Sequence, residues 1–197
     1  MHAALIKRRA ANLAPAGGRG FHWYYENLTE PPRANGGIAP DGSNTATKIT
    51  PDTTVNWHYI HGFVPDNAPT TETGKPYTFS VFAQSAGWRY ARFNYQHGLV
   101  TPHILHLDLH TGAFTLPPPG HVTRPRGYRV ESLPDGWYRI SLTEVNPGGG
   151  EMFPSIVLTD GNENPATPGD GTNGILLWGY QINAGGPAPY NPALPPV

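Results

Sequence analysis

The chain has 197 residues, a formal net charge of −1 and no cysteine. Disulfides, thiolate metal sites and a cysteine nucleophile are therefore excluded. Its 24 glycines and 23 prolines come with 11% aromatic and only 14% charged residues, a balance that predicts many short strands and turns and excludes disorder and long helices.

The charge is unevenly placed. Residues 1–20 hold Lys7, Arg8, Arg9 and Arg19 with no acid, which leaves nine basic against fourteen acidic residues in the remainder. Residues 1–26 read as a basic arm and linker, with a marginal helix over Ala3–Leu13 that Pro15 and Gly17-Gly18 close. Leu5, Ile6 and Leu13 supply its apolar contacts, and the four cations would meet acidic groups on a partner. The run His2–Ile6 is too short for a secretory core, and the basic cluster follows it. No apolar run approaches the ~20 residues of a membrane span. The acidic body argues against nucleic acid as a partner.

From residue 27 onward the expected unit is an all-β antiparallel sandwich. Thr45–Thr50 and Val55–His61 are β-branched and aromatic runs, and in the second Val55, Trp57 and Tyr59 share a face. Tyr77–Gln84 puts Tyr77, Phe79, Val81 and Ala83 on one face, and Ser85-Ala86-Gly87 leads into Trp88–Tyr95, as in a hairpin. Ile104–His110 alternates, with Leu105, Leu107 and Leu109 toward the core. Thr111-Gly112 turns the chain into Ala113–Leu116, and the stiff run Pro117–Gly120 crosses to a second hairpin, Tyr128–Ser132 with Trp137–Thr143. Phe153–Leu158 and the apolar run Gly174–Ile182 follow, the latter a strand covered on both faces. The tail from Gly185 to Val197 is Pro-rich and reads as extended.

The order of motifs is recognisable. The APDGSNTATKI string at Ala39–Ile49, the pair Lys75–Phe82 and Gly87–Phe93, the LDLHTGAF segment at Leu107–Phe114, and Val130–Leu142 all resemble a jelly-roll module common in bacteriophage spike and tail-fibre proteins. The closing GDGTNGILLWGYQI at Gly169–Ile182, with Tyr190-Asn191-Pro192, resembles the same module. The likeness spans about Asn27 to Pro192; Ser141 stands where many members have Cys, and Asn183 where the last motif closes on Glu. Such modules are similar in fold to carbohydrate-binding modules. The resemblance implies a virion surface protein, a head spike or tail fibre of a phage or phage-like gene transfer particle, assembled in the host cytoplasm. Its implied partners are other virion proteins, within a homo-oligomeric or symmetric assembly, and host surface polysaccharide. The family supplies no agreed catalytic residues. The alternatives are a carbohydrate-binding module of a bacterial polysaccharide-degrading system and an architectural decoration protein.

Read on their own residues, the candidate sites are few. Trp88, Tyr90 and Arg92 share one strand face, and Trp57 and Tyr59 another; flat rings suit the C–H faces of sugars, and Arg binds hydroxyls or acidic groups. His106, Asp108 and His110 recur at i, i+2 and i+4 on a strand, too far apart for one metal to hold all three. Asp160 and Asp170 bound an oxygen-rich loop that could hold calcium but lacks the spacing of a known calcium loop. Asp108, Glu131, Glu144 and Glu151 are scattered, and no nucleophile elbow, HExxH or phosphate loop occurs, so no enzyme and no cofactor are expected. Deletion of residues 2–20 is expected to leave a folded β-sandwich by circular dichroism that no longer incorporates into particles; normal incorporation would place attachment elsewhere.

Overall fold

Period-two alternation decides the architecture, because a strand with one apolar face must bury it against another sheet. The computed structural model describes residues 22–30, 32–63, 72–97, 102–148 and 152–191. The candidate attachment residues Leu5, Ile6, Lys7, Arg8, Arg9, Leu13 and Arg19 lie outside the described residues.

Twelve strands run in the order β1 (His22–Glu26), β2 (Arg33–Gly37), β3 (Ala46–Ile49), β4 (His58–Phe63), β5 (Pro76–Ala86), β6 (Tyr90–His97), β7 (His103–Asp108), β8 (Phe114–Thr115), β9 (Gly127–Ser132), β10 (Trp137–Val145), β11 (Met152–Thr159) and β12 (Gly174–Ala184). They form two six-stranded antiparallel sheets, the first ordered β1-β4-β11-β6-β7-β8 and the second β2-β3-β12-β5-β10-β9. The fold is the expected all-β sandwich.

Two sequence expectations are corrected. Residues 22–26, read as linker, form edge strand β1, paired with β4 from His22↔Phe63 to Glu26↔Tyr59. The segments around Ser85-Ala86-Gly87 are not a hairpin, since β5 pairs with β10 and β12 while β6 pairs with β7 and β11 in the other sheet. The turn carries the chain across the sandwich, with Gly87 at φ +102°. There Ser85 Oγ donates to the Trp88 carbonyl and accepts from Gly87 N–H. The second hairpin, β9 with β10, forms as read, its turn holding Asp135 and Gly136 at positive φ.

The core lies between the sheets. Phe79, Val81, Ile140, Leu142, Ile175 and Leu177 of the second sheet share it with Phe93, Leu105, Leu107, Ile156 and Leu158 of the first. Each fully buried aliphatic residue contributes roughly 1.5–3 kcal/mol relative to exposure. Strand β12 changes phase by a bulge between Trp178 and Gln181, with Gly179 at φ +61°. Leu177 and Ile182 therefore both reach the core although five residues apart.

Trp178 alternates with the inward-facing Leu177 and does not enter the main core. It packs instead on the outer face of the second sheet with Phe82 and Tyr190, the ring centroids 5.2 and 4.7 Å away. Residues 185–191 cross this face. Arg139 reaches the Ala188 carbonyl, Gln181 accepts from Asn191 N–H at 2.8 Å, and Asn183 donates to the Gly186 carbonyl. Strand β5 is thereby buried on both faces.

Gly174 sits where β12 crosses close to β3. A Cβ there would stand 2.1 Å from the Ile49 carbonyl oxygen, whereas one on Gly186 meets nothing within 4 Å. Gly174→Ala is expected to destabilise by about 1–3 kcal/mol, read as a lower denaturant midpoint at unchanged slope, and Gly186→Ala by much less. Equal midpoints for the two variants would contradict the close approach.

Candidate functional site

With Ile60, Phe93 and Ile156 committed to the core, their strand neighbours line the outer face of the first sheet. The pairing sets them in rows. One row runs Glu26, Tyr59, Val157, Arg92, His106, and the next runs Tyr24, His61, Ser155, Asn94, Ile104. A cleft of about 530 Å³ opens over these rows, walled by Trp57, Tyr59, His61 and Phe153, with Asn94 and Ser155 in its floor.

The aromatic wall is a ladder. His61 stacks on Tyr24 at 5.1 Å and on Tyr59 at 5.6 Å between ring centroids. Burial, and then the hydrogen bond its hydroxyl donates to the Glu26 carboxylate, push the Tyr59 pKa up. Trp57 is held at its backbone, where Asn27 Nδ2 donates to its carbonyl at 2.7 Å and its N–H donates to Asn56 Oδ1. Its ring rests on the Arg92 guanidinium, 4.8 Å away. It nevertheless remains 43% exposed, so a ring surface is left for a ligand.

Five glycan candidates were read from sequence, and the structure divides them. Trp57 and Tyr59 share the cleft. Arg92 lies behind Trp57, where burial lowers its pKa and Glu163 partly offsets that; it is a support for the ring. Tyr90 faces a neighbouring depression of about 220 Å³, with His106, Phe114 and Glu163. Trp88 precedes β6 and packs partly against the core, its indole N–H donating to the Tyr90 and Thr159 carbonyls. Sequence reasoning passed over Tyr24, Glu26, Asn94 and Gln96. The last two simply continue the Tyr90, Arg92 face at period two, and the first two sit on the strand read as linker.

The remaining candidates find local partners. His103 Nδ1 lies 2.7 Å from Glu144, His106 Nε2 3.3 Å from Glu163, and His110 Nε2 3.1 Å from Ser85 Oγ. Asp108 forms a bidentate pair with Arg89, whose hydrogen bonds hold its carboxyl well below the usual range. Glu131 pairs with Arg129; Glu151 lies outside the described residues. Asp160 Oδ1 accepts the N–H groups of Asn162 and Asn164, and Asp170 Oδ1 those of Thr172 and Asn173. Those backbone bonds pull the Asp170 pKa down to about 2. Both carboxylates thus close turns, and among the described residues no three His, Asp or Glu gather to hold a metal.

Burial lowers the His61 pKa from 6.5, and the Glu26 charge opposes this more weakly. The unfolded chain then takes up the proton first, so this group's contribution to stability falls as pH drops through 6.5 toward the folded value. The His61 ring resonances are expected to titrate with a midpoint below 6.5. A midpoint at or above that value would contradict the buried, stacked ring.

No family model matches the chain, and no curated protein matches it. Solved structures similar to it include the CBM22-1–GH10 modules of Clostridium thermocellum endo-1,4-β-D-xylanase 10B, complexed with xylohexaose. That match has 12% identity and a TM-score of 0.47, over 93% of this chain and 29% of that one. The enzymatically active domain of tailspike protein 4 from bacteriophage CBA120 matches at 10% identity and a TM-score of 0.43, over 84% and 19% of the two chains. A cleaved adhesin domain of Lys-gingipain from Porphyromonas gingivalis matches at 14% and 0.40, over 90% and 98%. The chain thus spans less than a third of the first two, and likenesses this distant assign no function.

Proposed function

We propose that this protein is a non-enzymatic polysaccharide-binding sandwich displayed on the surface of a phage or phage-like particle, and that the cleft on its first sheet is the binding site. One observation carries the reading. A cleft on a rigid sheet combines an exposed, braced tryptophan and a tyrosine–histidine ladder with the amide and hydroxyl groups of Asn56, Asn94, Gln96 and Ser155. Rings of this kind cover the C–H faces of a sugar, while amides both donate to and accept from its hydroxyls. Because β4, β6 and β11 position Tyr59, His61, Asn94, Gln96 and Ser155, and backbone bonds hold Trp57 beside them, little ordering cost falls on binding.

The placement on a particle rests on the order of motifs from Ala39 to Ile182, with the basic arm as the attachment segment and symmetric copies supplying avidity. A carbohydrate-binding module of a polysaccharide-degrading system would use the same cleft, so location separates the two readings. Co-purification with particles supports the first, and secretion beside a hydrolase the second.

Trp57→Ala and Tyr59→Ala are each expected to weaken polysaccharide binding about tenfold or more, equivalent to about 1.4 kcal/mol, by affinity electrophoresis or calorimetry. The fold should be unchanged, since both side chains lie outside the core. Trp178→Phe, on the opposite face, should bind as the parent does. Unaltered binding by both cleft variants would reject the site.

A further inference from the structure

Building on the reading of this cleft as a glycan site, we infer that it selects uncharged sugar chains over chains bearing carboxylate, sulfate or phosphate. Two observations support it, one for the selectivity itself and one for the hydroxyl recognition on which it rests.

The first is charge. Among the described residues lining the cleft, Glu26 is the one carboxylate, His61 has its protonated form disfavoured by burial, and there is no Lys or Arg. The nearest arginine in the strand pairing, Arg92, is turned behind the Trp57 ring, with Glu163 as its electrostatic neighbour. An anionic sugar substituent would therefore meet the Glu26 carboxylate with no cation among the described lining residues to answer it, and at close range that repulsion is less screened than between separated surface charges.

The second is an orphan acceptor. Asn94 is 5% exposed and lines the cleft floor. Its Nδ2 donates to Ser155 Oγ at 2.9 Å, and this bond orients the amide. Its Oδ1 is buried with no hydrogen-bond partner. A lone acceptor in a ligand cleft is matched by a donor, and a sugar hydroxyl is one. A sugar hydroxyl, carried by neutral and acidic chains alike, can answer Asn94, whereas an ionised carboxylate or sulfate offers only acceptors and opposes Glu26. Asn94 is thus the group that recognises a hydroxyl, and Glu26 is the group that disfavours an anionic substituent.

The test is an array carrying neutral polysaccharides and oligosaccharides beside carboxylated or sulfated versions of the same backbones, probed with the full-length protein. The expected hits are neutral, and the anionic version of each hit should bind at least tenfold more weakly. In Glu26→Gln that gap should shrink to within about threefold. Asn94→Leu, close in volume, should lose at least tenfold on the neutral hits at an unchanged melting temperature. Should Asn94→Leu misfold, the Glu26→Gln comparison still decides the matter. An anionic member binding as well as or better than its neutral counterpart would overturn the selectivity while leaving the glycan site standing. Unaltered binding by a folded Asn94→Leu would overturn the role of Asn94. No hit of either kind would defeat the glycan reading itself.

Discussion

Phe79, Val81, Ile140, Leu142, Ile175 and Leu177 close against Phe93, Leu105, Leu107, Ile156 and Leu158, and this apolar layer dictates which way every strand faces. Because side chains alternate along a strand, committing one set to the interior commits the other to the outer faces. Slipping β6 by one residue would bury Arg92 and Asn94 and expose Phe93. The composition of the cleft is therefore a consequence of the core, and its geometry is as rigid as the pairing of β4, β11 and β6.

The two outer faces have been treated in opposite ways. On the second sheet, residues 185–191 lie across Phe82 and Trp178 and bond one Arg139 Nη, Gln181 and Asn183. The chain itself covers that part of the face, and a depression of about 330 Å³ beside Gln84 and Trp137 stays open. The cleft on the first sheet stays open, with Trp57 and Tyr24 exposed at its rim. Its aromatic groups are braced from behind or from the side, by Arg92 under Trp57 and by His61 between two tyrosines. Surfaces held in this way, apolar and partly dry, characterise a binding site more than a packing defect.

Much of the fold was legible in the sequence because alternation is a local signal. Leu105 and Leu107 of β7, and Ile140 and Leu142 of β10, face inward as the pattern requires. What failed is non-local. Ser85-Ala86-Gly87 resembles a hairpin turn, yet whether a chain folds back or crosses to the facing sheet depends on partners far away, here β10, β11 and β12. Strand β1 was missed because an edge strand needs only one partner, and its exposed aromatic residues Tyr24 and Tyr25 look like a linker cluster. The run Gly174–Ile182 is covered on both faces as read, but the bulge at Gly179 breaks its alternation, so that Leu177 and Ile182 both face the core, which period two does not foresee. The site was half legible. Trp57 and Tyr59 were visible as a pair, but their meeting with Asn94 and Glu26 is set by register across four strands, and Arg92 sits against the Trp57 ring.

The proposed sugar site lies on the outer face of the β1-β4-β11-β6 strands. The most direct measurement is chemical-shift mapping of the isotopically labelled protein titrated with an oligosaccharide found to bind it. The predicted result is perturbation of the Trp57 indole, the Tyr59 and His61 rings and the Asn94 amide, with Trp178 and Tyr190 unmoved. Shifts gathered instead on Trp178 and Tyr190, or spread without reference to either face, would contradict it.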